Sequence, residues 1–187
     1  RPFILRRKKA DVVKDLPAKI ENNIYIDLTE EQKKIYAAEV KSANDEMTRL
    51  IQEGGFTKNK MIILSLLTRL RQICISPEIL LKDYQGESSK IENLIKIIKE
   101  LVLNGHKILL FTSFKTALNL VKEALDEENI SSYTIAGDVS ASKRKMLVDA
   151  FNKDQTNVFL IMLKSGGTGL NLTSADVVIH LDLWWNP

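Results

Sequence analysis

The sequence predicts an α/β protein of three layers, in which helices cover both faces of a parallel sheet, preceded by an extended arm and a helical insertion. Four short apolar runs follow one another in the second half of the chain, and helical segments or a long loop separate them. Strands that alternate with helices usually pair in parallel and are covered on both sides. The composition agrees, since 44% hydrophobic and 27% charged residues are typical of a globular chain.

The first 28 residues are predicted to form an arm that enters the globular part. Residues 1–20 carry seven Lys or Arg against two Asp, a net charge of +5. A basic leader of this kind is a candidate for contact with a polyanion, and the same pattern is common in solvated linkers, so both interpretations stay open. Apolar and polar residues then alternate over residues 20–28, which predicts a strand.

Residues 29–87 are predicted to form a helical insertion. Thr29 and Gln32 fit a capping box that begins one helix, and Gly54-Gly55 ends it. A second helix over residues 61–74 is closed by Pro77. The apolar spacing predicts one buried stripe on each helix, Tyr36, Val40, Ala43, Met47 and Leu50 on the first and Leu64, Leu67, Leu70 and Cys74 on the second.

Residues 88–187 are predicted to form the α/β unit. A capping box at Ser89-Lys90-Ile91-Glu92 begins its first helix, and Asn104-Gly105 ends it. Two further helices are expected over residues 116–128 and 142–152, the latter with Met146, Val148 and Phe151 as core contacts. The predicted strands are residues 107–111, 132–136, 158–163 and 177–183.

Ligands of open parallel sheets bind at the carboxyl ends of the strands. The most informative strand end is residues 164–172, where three glycines fall within four positions. Glycine permits positive φ angles and close approach of another backbone, and consecutive amides beside Lys164 can form a nest for a phosphate. Taken alone, the loop is equally compatible with a tight turn. The other predicted strand ends are Thr112-Ser113, Gly137-Asp138 and Trp184-Trp185.

Several other kinds of site are disfavoured by the sequence. It contains no GxxxxGK[ST] phosphate loop, and no glycine follows the first strand as a dinucleotide fingerprint requires. Cys74 is the single cysteine, so an internal disulfide and a multi-thiolate metal site are excluded. His106 and His180 are expected to be structural, and no metal site is predicted. Asp138 and Asp182 follow strands, but neither belongs to an acidic cluster.

Taken in order, these motifs resemble the second RecA-like lobe of the Swi/Snf-type DNA-dependent ATPases, over nearly the whole chain. Ser113 stands where that family usually has glutamine. The segment that enters the lobe in that family is similar to Arg1-Pro2-Phe3-Ile4-Leu5-Arg6-Arg7 and Leu16-Pro17-Ala18-Lys19, and its helical insertion is similar to Leu28-Thr29-Glu30-Glu31-Gln32 and residues 70–77. The fourth helicase motif resembles residues 107–114, and the block after it resembles residues 137–152. The fifth motif with its tryptophan extension resembles residues 158–187.

The resemblance implies a RecA-like lobe of a double-stranded DNA translocase. ATP and Mg²⁺ would bind between this lobe and an N-terminal RecA-like lobe of the same chain, with Gly167, Gly169 and Asn171 in the cleft wall. Trp184 and Trp185 would couple the nucleotide state to DNA movement. Phosphate contacts position a protein without reading sequence, and the donors expected to supply them are Thr112, Ser113, Lys164, Ser165, Gly166, Gly167 and Arg144.

The resemblance also implies that these residues are part of a longer chain. The phosphate loop, the acidic magnesium box and the arginines of the sixth motif are absent from the sequence, so the fragment alone is expected neither to bind nor to hydrolyse ATP. The family implies a cytoplasmic, nucleoid-associated location, or a nuclear one in a eukaryote. Protein partners such as RNA polymerase or DNA-bound proteins are compatible with it.

Two other functions stay open at this stage. One is a non-catalytic, nucleic-acid-binding RecA-like module, which an intact phosphate loop upstream would exclude. The other is the nucleotide-binding half of a glycosyltransferase. The latter fits poorly, because no acidic pair follows the glycine loop to hold a ribose.

Overall fold

A computed structural model describes residues 20–137, 139–166 and 170–183, and in residues 54, 56, 57, 165 and 166 it describes the backbone alone. The chain begins its regular structure with a long helical element and continues as alternating strands and helices. The elements are α1 (Glu30–Ile75), a 3₁₀ turn (Pro77–Ile79), α2 (Ser89–Leu103), β1 (Ile108–Thr112), α3 (Lys115–Glu127), β2 (Ser132–Ile135), α4 (Ala141–Phe151), β3 (Val158–Met162), the short α5 (Leu163–Gly166) and β4 (Val177–His180).

The four strands form one parallel sheet in the order β2-β3-β1-β4. Their first residues lie level, since Ile108 of β1 pairs with Val158 of β3 and Val177 of β4, and Ser132 of β2 also pairs with Val158. Strands of similar length that start level also end level. The carboxyl ends therefore meet along one border of the sheet, which we call the carboxyl edge.

Two apolar clusters cover the two faces of the sheet. Strand β3 shows the division, because Val158 and Leu160 belong to the cluster with α2 and α3, whereas Phe159 and Ile161 belong to the cluster with α4. Side chains alternate between faces along a strand, so an unbroken apolar run supplies both clusters. This arrangement confirms the predicted three-layer α/β fold.

Lysine 107, just before β1, supports the α4 layer through its ammonium group. Its Nζ donates hydrogen bonds to the Phe151 carbonyl and, at 2.8 Å, to the Asp154 carbonyl, and it lies 4.3 Å from the centre of the Phe151 ring. A cation is favourable at a helix C-terminus, where carbonyl groups lack helical partners.

Helix α1 is a helical hairpin. Gly55, with φ 72° and ψ 166°, breaks the helical conformation, as the glycine pair predicts. The two arms run antiparallel, because Arg69 forms an ion pair with Glu39 and the Asn59 side chain donates to the Leu50 carbonyl. The predicted capping box is also confirmed: the Thr29 hydroxyl accepts from the Gln32 amide at 3.1 Å, and Gln32 Oε1 accepts from the Thr29 amide at 3.2 Å.

The predicted buried stripe of the second arm is confirmed only in part, since Leu70 and Cys74 are half-buried. Leu64 and Leu67 are exposed, whereas Ile63 and Ile73 are buried. Both sets have helical spacing, and packing against the first arm selects between them. The predicted stripe of the first arm is borne out by buried Ala43 and Leu50 and half-buried neighbours.

Four further predictions are corrected. Residues 20–28 form no strand, because the structure gives them no hydrogen-bonded neighbour strand within its described residues. Helix α2 is capped by Ser88 rather than Ser89, since the Ser88 hydroxyl accepts from the Ile91 amide. Met146 is exposed on α4, and β4 lies at a border of the sheet with alternate residues exposed rather than buried on both faces. Within the described ranges, no helix is long and apolar enough to cross a membrane.

Candidate functional site

The carboxyl edge collects the polar residues that follow the strands. Thr112 pairs with Met162 at the ends of β1 and β3, so Ser113 and Lys164 follow neighbouring strands. Helix α4 begins soon after β2, which brings Arg144 in its first turn to the same border. Asp182 follows β4 on the other side of β1. The edge thus presents Arg144, Lys164, Ser113 and Asp182 in the order of their strands.

The carboxylate of Asp182 is the centre of a buried hydrogen-bond network. Its Oδ1 accepts from the Thr112 hydroxyl at 2.6 Å and from the Ser113 amide at 2.8 Å. Its Oδ2 forms an ion pair with Arg71 Nη2 at 3.0 Å. The Asp182 side chain is only 6% exposed, and buried charges need partners of this kind. The network therefore fixes the loop after β1 relative to the chain after β4.

Arg71 reaches this network from the second arm of the hairpin. Its Nη2 also donates to the Leu183 carbonyl, and its guanidinium lies 5.4 Å from the centre of the Phe114 ring. A planar guanidinium can stack on an aromatic ring while its terminal nitrogen donates hydrogen bonds. One side chain thus joins the hairpin to the segments that follow β1 and β4.

Two donors at the carboxyl edge are buried and lack a protein partner among the described residues, Ser113 Oγ and Arg144 Nε. Such groups usually find a partner, because an unpaired buried donor costs about 1–3 kcal/mol. The three other side-chain groups of this kind in the described part of the chain belong to Gln32 on α1 and to Ser132 and Thr134 on β2. The two donors at the edge lie where a ligand is expected.

The segment after the glycine loop is fastened to α4. Asn152, at the end of α4, donates through Nδ2 to the Asn171 carbonyl at 2.7 Å and accepts from the Ser174 amide at 3.2 Å. Leu170 and Leu172 pack against the apolar cluster of the α4 face. Residues 170–174 are therefore held at a defined position on the α4 face.

The predicted site residues differ in where they lie, and five of the residues considered at the strand ends fall outside the described part of the chain. Ser113 and Lys164 follow neighbouring strands at the carboxyl edge, and Arg144 lies in the first turn of α4. The Lys164 side chain is exposed, and Asn171 is exposed beside the end of α4. Ser165 and Gly166 continue α5 in their backbone. Thr112 is fully buried and donates its hydroxyl to Asp182, and its expected DNA contact stays a prediction. Gly167, Gly169, Asp138, Trp184 and Trp185 lie outside the described residues.

The residues weighed as metal ligands have structural partners. His106 Nδ1 lies 2.7 Å from Asp176 Oδ2, and the His180 ring stacks on Phe111 at 5.4 Å. Burial raises the pKa of the Cys74 thiol despite the opposing charge of Lys90, as suits a cysteine that packs rather than reacts. Within the described residues, no group of three or more His, Cys, Asp or Glu side chains could hold a metal ion.

Sequence reasoning missed the Asp182–Arg71 pair. The available signal was that Asp182 and Thr112 each follow a buried strand and so lie on one edge. Arg71 gave no such signal, because 111 residues separate it from Asp182.

The parallel sheet, its two helical layers and the polar carboxyl edge define a RecA-like lobe of the helicase C-terminal type. Residues 89–187 match the family described as the helicase conserved C-terminal domain, and residues 1–79 match the SNF2-related domain. The chain belongs to the SNF2 family, in which it corresponds to the C-terminal helicase lobe.

The names of curated relatives agree with this assignment. A Bacillus subtilis protein named putative ATP-dependent helicase/translocase YwqA is 38% identical over 195 residues, covering 100% of this chain and 21% of the relative. The chain spans about a fifth of the length of the curated relatives it matches.

Solved structures agree as well. The Sulfolobus solfataricus SWI2/SNF2 ATPase C-terminal domain has a TM-score of 0.78 at 34% identity, covering 90% of this chain and 74% of that one. The core of the Sulfolobus ATPase in complex with double-stranded DNA also has a TM-score of 0.78, at 35% identity, covering 99% of this chain and 40% of that one.

Proposed function

We propose that this chain is the second motor lobe of an ATP-dependent double-stranded DNA translocase, in which it forms one wall of the ATP cleft and part of a groove for the DNA backbone. Two relatives support this proposal. The Bacillus protein is named a helicase/translocase, and the Sulfolobus core was solved with double-stranded DNA.

The observation that carries the DNA part of the proposal is the pair of unpaired donors, Ser113 Oγ and Arg144 Nε, at the edge that also holds Lys164. A phosphate oxygen would satisfy either donor, and the lysine would add charge. Contacts of this type hold a strand by its backbone and tolerate any sequence. This tolerance suits an enzyme that moves along DNA. Amides of residues 165–167 would complete the contact.

For the ATP cleft, the proposal assigns the wall to Gly167, Gly169 and Asn171. The anchoring of Asn171 through Asn152 supports this assignment, because a cleft wall must keep its position when the lobes close. ATP would bring Mg²⁺, and the N-terminal lobe would hold that ion, since the described residues here offer no carboxylate cluster for it. Metal and positively charged donors stabilise the charge of phosphoryl transfer together. The tryptophan pair, Trp184 and Trp185, would link closure to DNA movement.

The test is ATP hydrolysis by the full two-lobed protein with and without duplex DNA, with the present fragment as control. We expect strong stimulation by duplex DNA and no hydrolysis by the fragment. In the same protein, Lys164→Gln is expected to weaken binding to DNA of any sequence. The slope of log binding constant against log salt concentration should fall in magnitude by about 1. The matched control is Lys122→Gln on α3, where the lysine pairs with Asp126.

Two results would contradict the proposal. Absence of hydrolysis by the full protein under both conditions favours the non-catalytic module, in which the glycine loop holds a phosphate backbone without moving it. A salt slope that changes equally in Lys164→Gln and Lys122→Gln would remove Lys164 from the DNA contact.

A further inference from the structure

Arg71 joins the helical hairpin, which is not part of the sheet, to the carboxyl edge. We propose that Arg71 is a positioning residue, which sets the placement of the Ser113 loop and of the chain at Leu183 from the helical hairpin. The proposal rests on the proposed function for its effect on DNA movement. Its structural part stands on the contacts of Asp182, Leu183 and Phe114 alone.

Arg71 and the Ser113 amide share the carboxylate of Asp182. Arg71 holds Asp182 Oδ2 at 3.0 Å, while Oδ1 of the same group accepts from the Ser113 amide at 2.8 Å. Hydrogen bonds to a charged group are shorter and stronger than neutral ones. A displacement of the Arg71 guanidinium therefore reorients Asp182, and with it the amide of a proposed DNA-contact residue.

One nitrogen of Arg71, Nη2, serves two acceptors. Besides Asp182, the guanidinium touches the Leu183 carbonyl and the Phe114 ring. These partners belong to the segments after β1 and β4. A lysine ammonium ends one bond short of the position of Nη2 and lacks the planar face that stacks on the ring. The contact thus depends on arginine itself and not on its charge alone.

Leu183, whose carbonyl accepts from Arg71, lies next to the proposed coupling residues. It directly precedes Trp184 and Trp185, the residues to which the proposed function gives coupling of nucleotide state to DNA movement. Arg71 therefore holds the backbone at the residue from which this pair departs. The hairpin is tied both to the start of that pair and to the Ser113 loop.

The hairpin also supplies a matched control. Arg69 lies two residues before Arg71 and forms an ion pair with Glu39 of the other arm. The Arg69 side chain is 47% exposed, whereas the Arg71 side chain is 22% exposed. Arg69→Ala thus removes the same charge from the same helix, and Arg69→Lys makes the same exchange of cation, while neither touches Asp182 and its partners.

The experiment compares Arg71→Lys and Arg71→Ala with Arg69→Lys and Arg69→Ala in the full two-lobed protein. One readout is hydrogen exchange of the Ser113 amide, and the other is base pairs moved per ATP in a triplex-displacement assay. We expect exchange at Ser113 to accelerate about tenfold in both Arg71 variants. We expect DNA movement per ATP to fall about threefold or more. The Arg69 variants should match wild type in both readouts.

The outcomes separate the two proposals. Ser113 exchange equal in the Arg71 and Arg69 variants overturns the positioning role, whatever the ATPase does. Accelerated exchange with unchanged DNA movement per ATP overturns its link to translocation. A wild-type protein without DNA-stimulated hydrolysis refutes the proposed function, while the exchange comparison still decides the positioning role. Arg71→Lys carries the test if Arg71→Ala does not fold.

Discussion

The buried hydroxyl of Thr112 allows a sharp prediction through the substitution Thr112→Val. Valine preserves the shape of the side chain but removes the donor that lies 2.6 Å from Asp182 Oδ1. The carboxylate keeps the Ser113 amide and Arg71, so one of its three recorded protein donors is lost. A hydrogen bond to a buried charged group contributes about 1.5–3 kcal/mol. For a chain of this size the melting temperature should fall by about 3–12 °C.

The assay is thermal and urea unfolding of this 187-residue chain, followed by circular dichroism. Thr116→Val is the control, because Thr116 is exposed on α3 and its loss should change stability by less than about 0.5 kcal/mol. A double-mutant cycle with Asp182→Asn should show that the two losses are not additive. If Thr112→Val keeps full stability but weakens DNA binding by the full protein, the sequence-based assignment to a DNA contact is correct and our structural account is refuted.

Two further predictions concern the core and its acid sensitivity. Phe151→Ala should cost about 3–5 kcal/mol in urea unfolding, because the ring is fully buried and packs edge-to-face at 5.0 Å on Phe159, whereas Met146→Ala on the exposed side of the same helix should be nearly neutral. Burial opposes ionisation of Asp176, but hydrogen bonds from His106 and the Lys107 amide prevail and lower its pKa. A lowered pKa in the folded state gives stability that is present above about pH 4 and lost as the pH falls through the folded value. The difference in unfolding free energy between wild type and Asp176→Asn should therefore shrink below about pH 4; a constant difference down to pH 2 would contradict this assignment.

The sheet could be predicted from the sequence because its signals are local. An unbroken apolar run such as that of β3 feeds both clusters, so no other element is needed to recognise it as a central strand. The strand expected at residues 20–28 shows the limit of this reasoning. Alternation predicts a strand only where a neighbour pairs with it, and none of the four described strands does so.

Helix boundaries were predictable where the capping group acts within its own turn. Thr29 and Gln32 cap each other, so four residues of sequence were enough. At α2 the choice fell on Ser88 rather than Ser89, because the Ser88 hydroxyl also contacts the carbonyl of Ile75 at the end of the hairpin. That contact belongs to the tertiary structure, and no local pattern contains it.

The site residues also divide into those whose position follows from local sequence and those whose contacts depend on the tertiary structure. Ser113, Lys164 and Arg144 were predictable as a group, because residues that follow parallel strands must share one edge. The hydrogen-bond partner of the Thr112 hydroxyl was not predictable, since it depends on which neighbouring group accepts from that hydroxyl. The partner proved to be Asp182, a lone carboxylate whose countercharge lies in a distant helix.

The buried pair of Arg71 and Asp182 is better explained by alignment than by stability. Desolvation of two charges offsets most of their attraction, so a buried ion pair contributes little net stability compared with apolar side chains of similar volume. Apolar contacts, however, tolerate sliding, whereas this guanidinium satisfies Asp182, the Leu183 carbonyl and the Phe114 ring in one arrangement. The apolar clusters therefore hold the lobe together, and the ion pair determines where the hairpin meets the carboxyl edge. The proposed motor function requires that alignment, because this is the edge that is proposed to hold DNA.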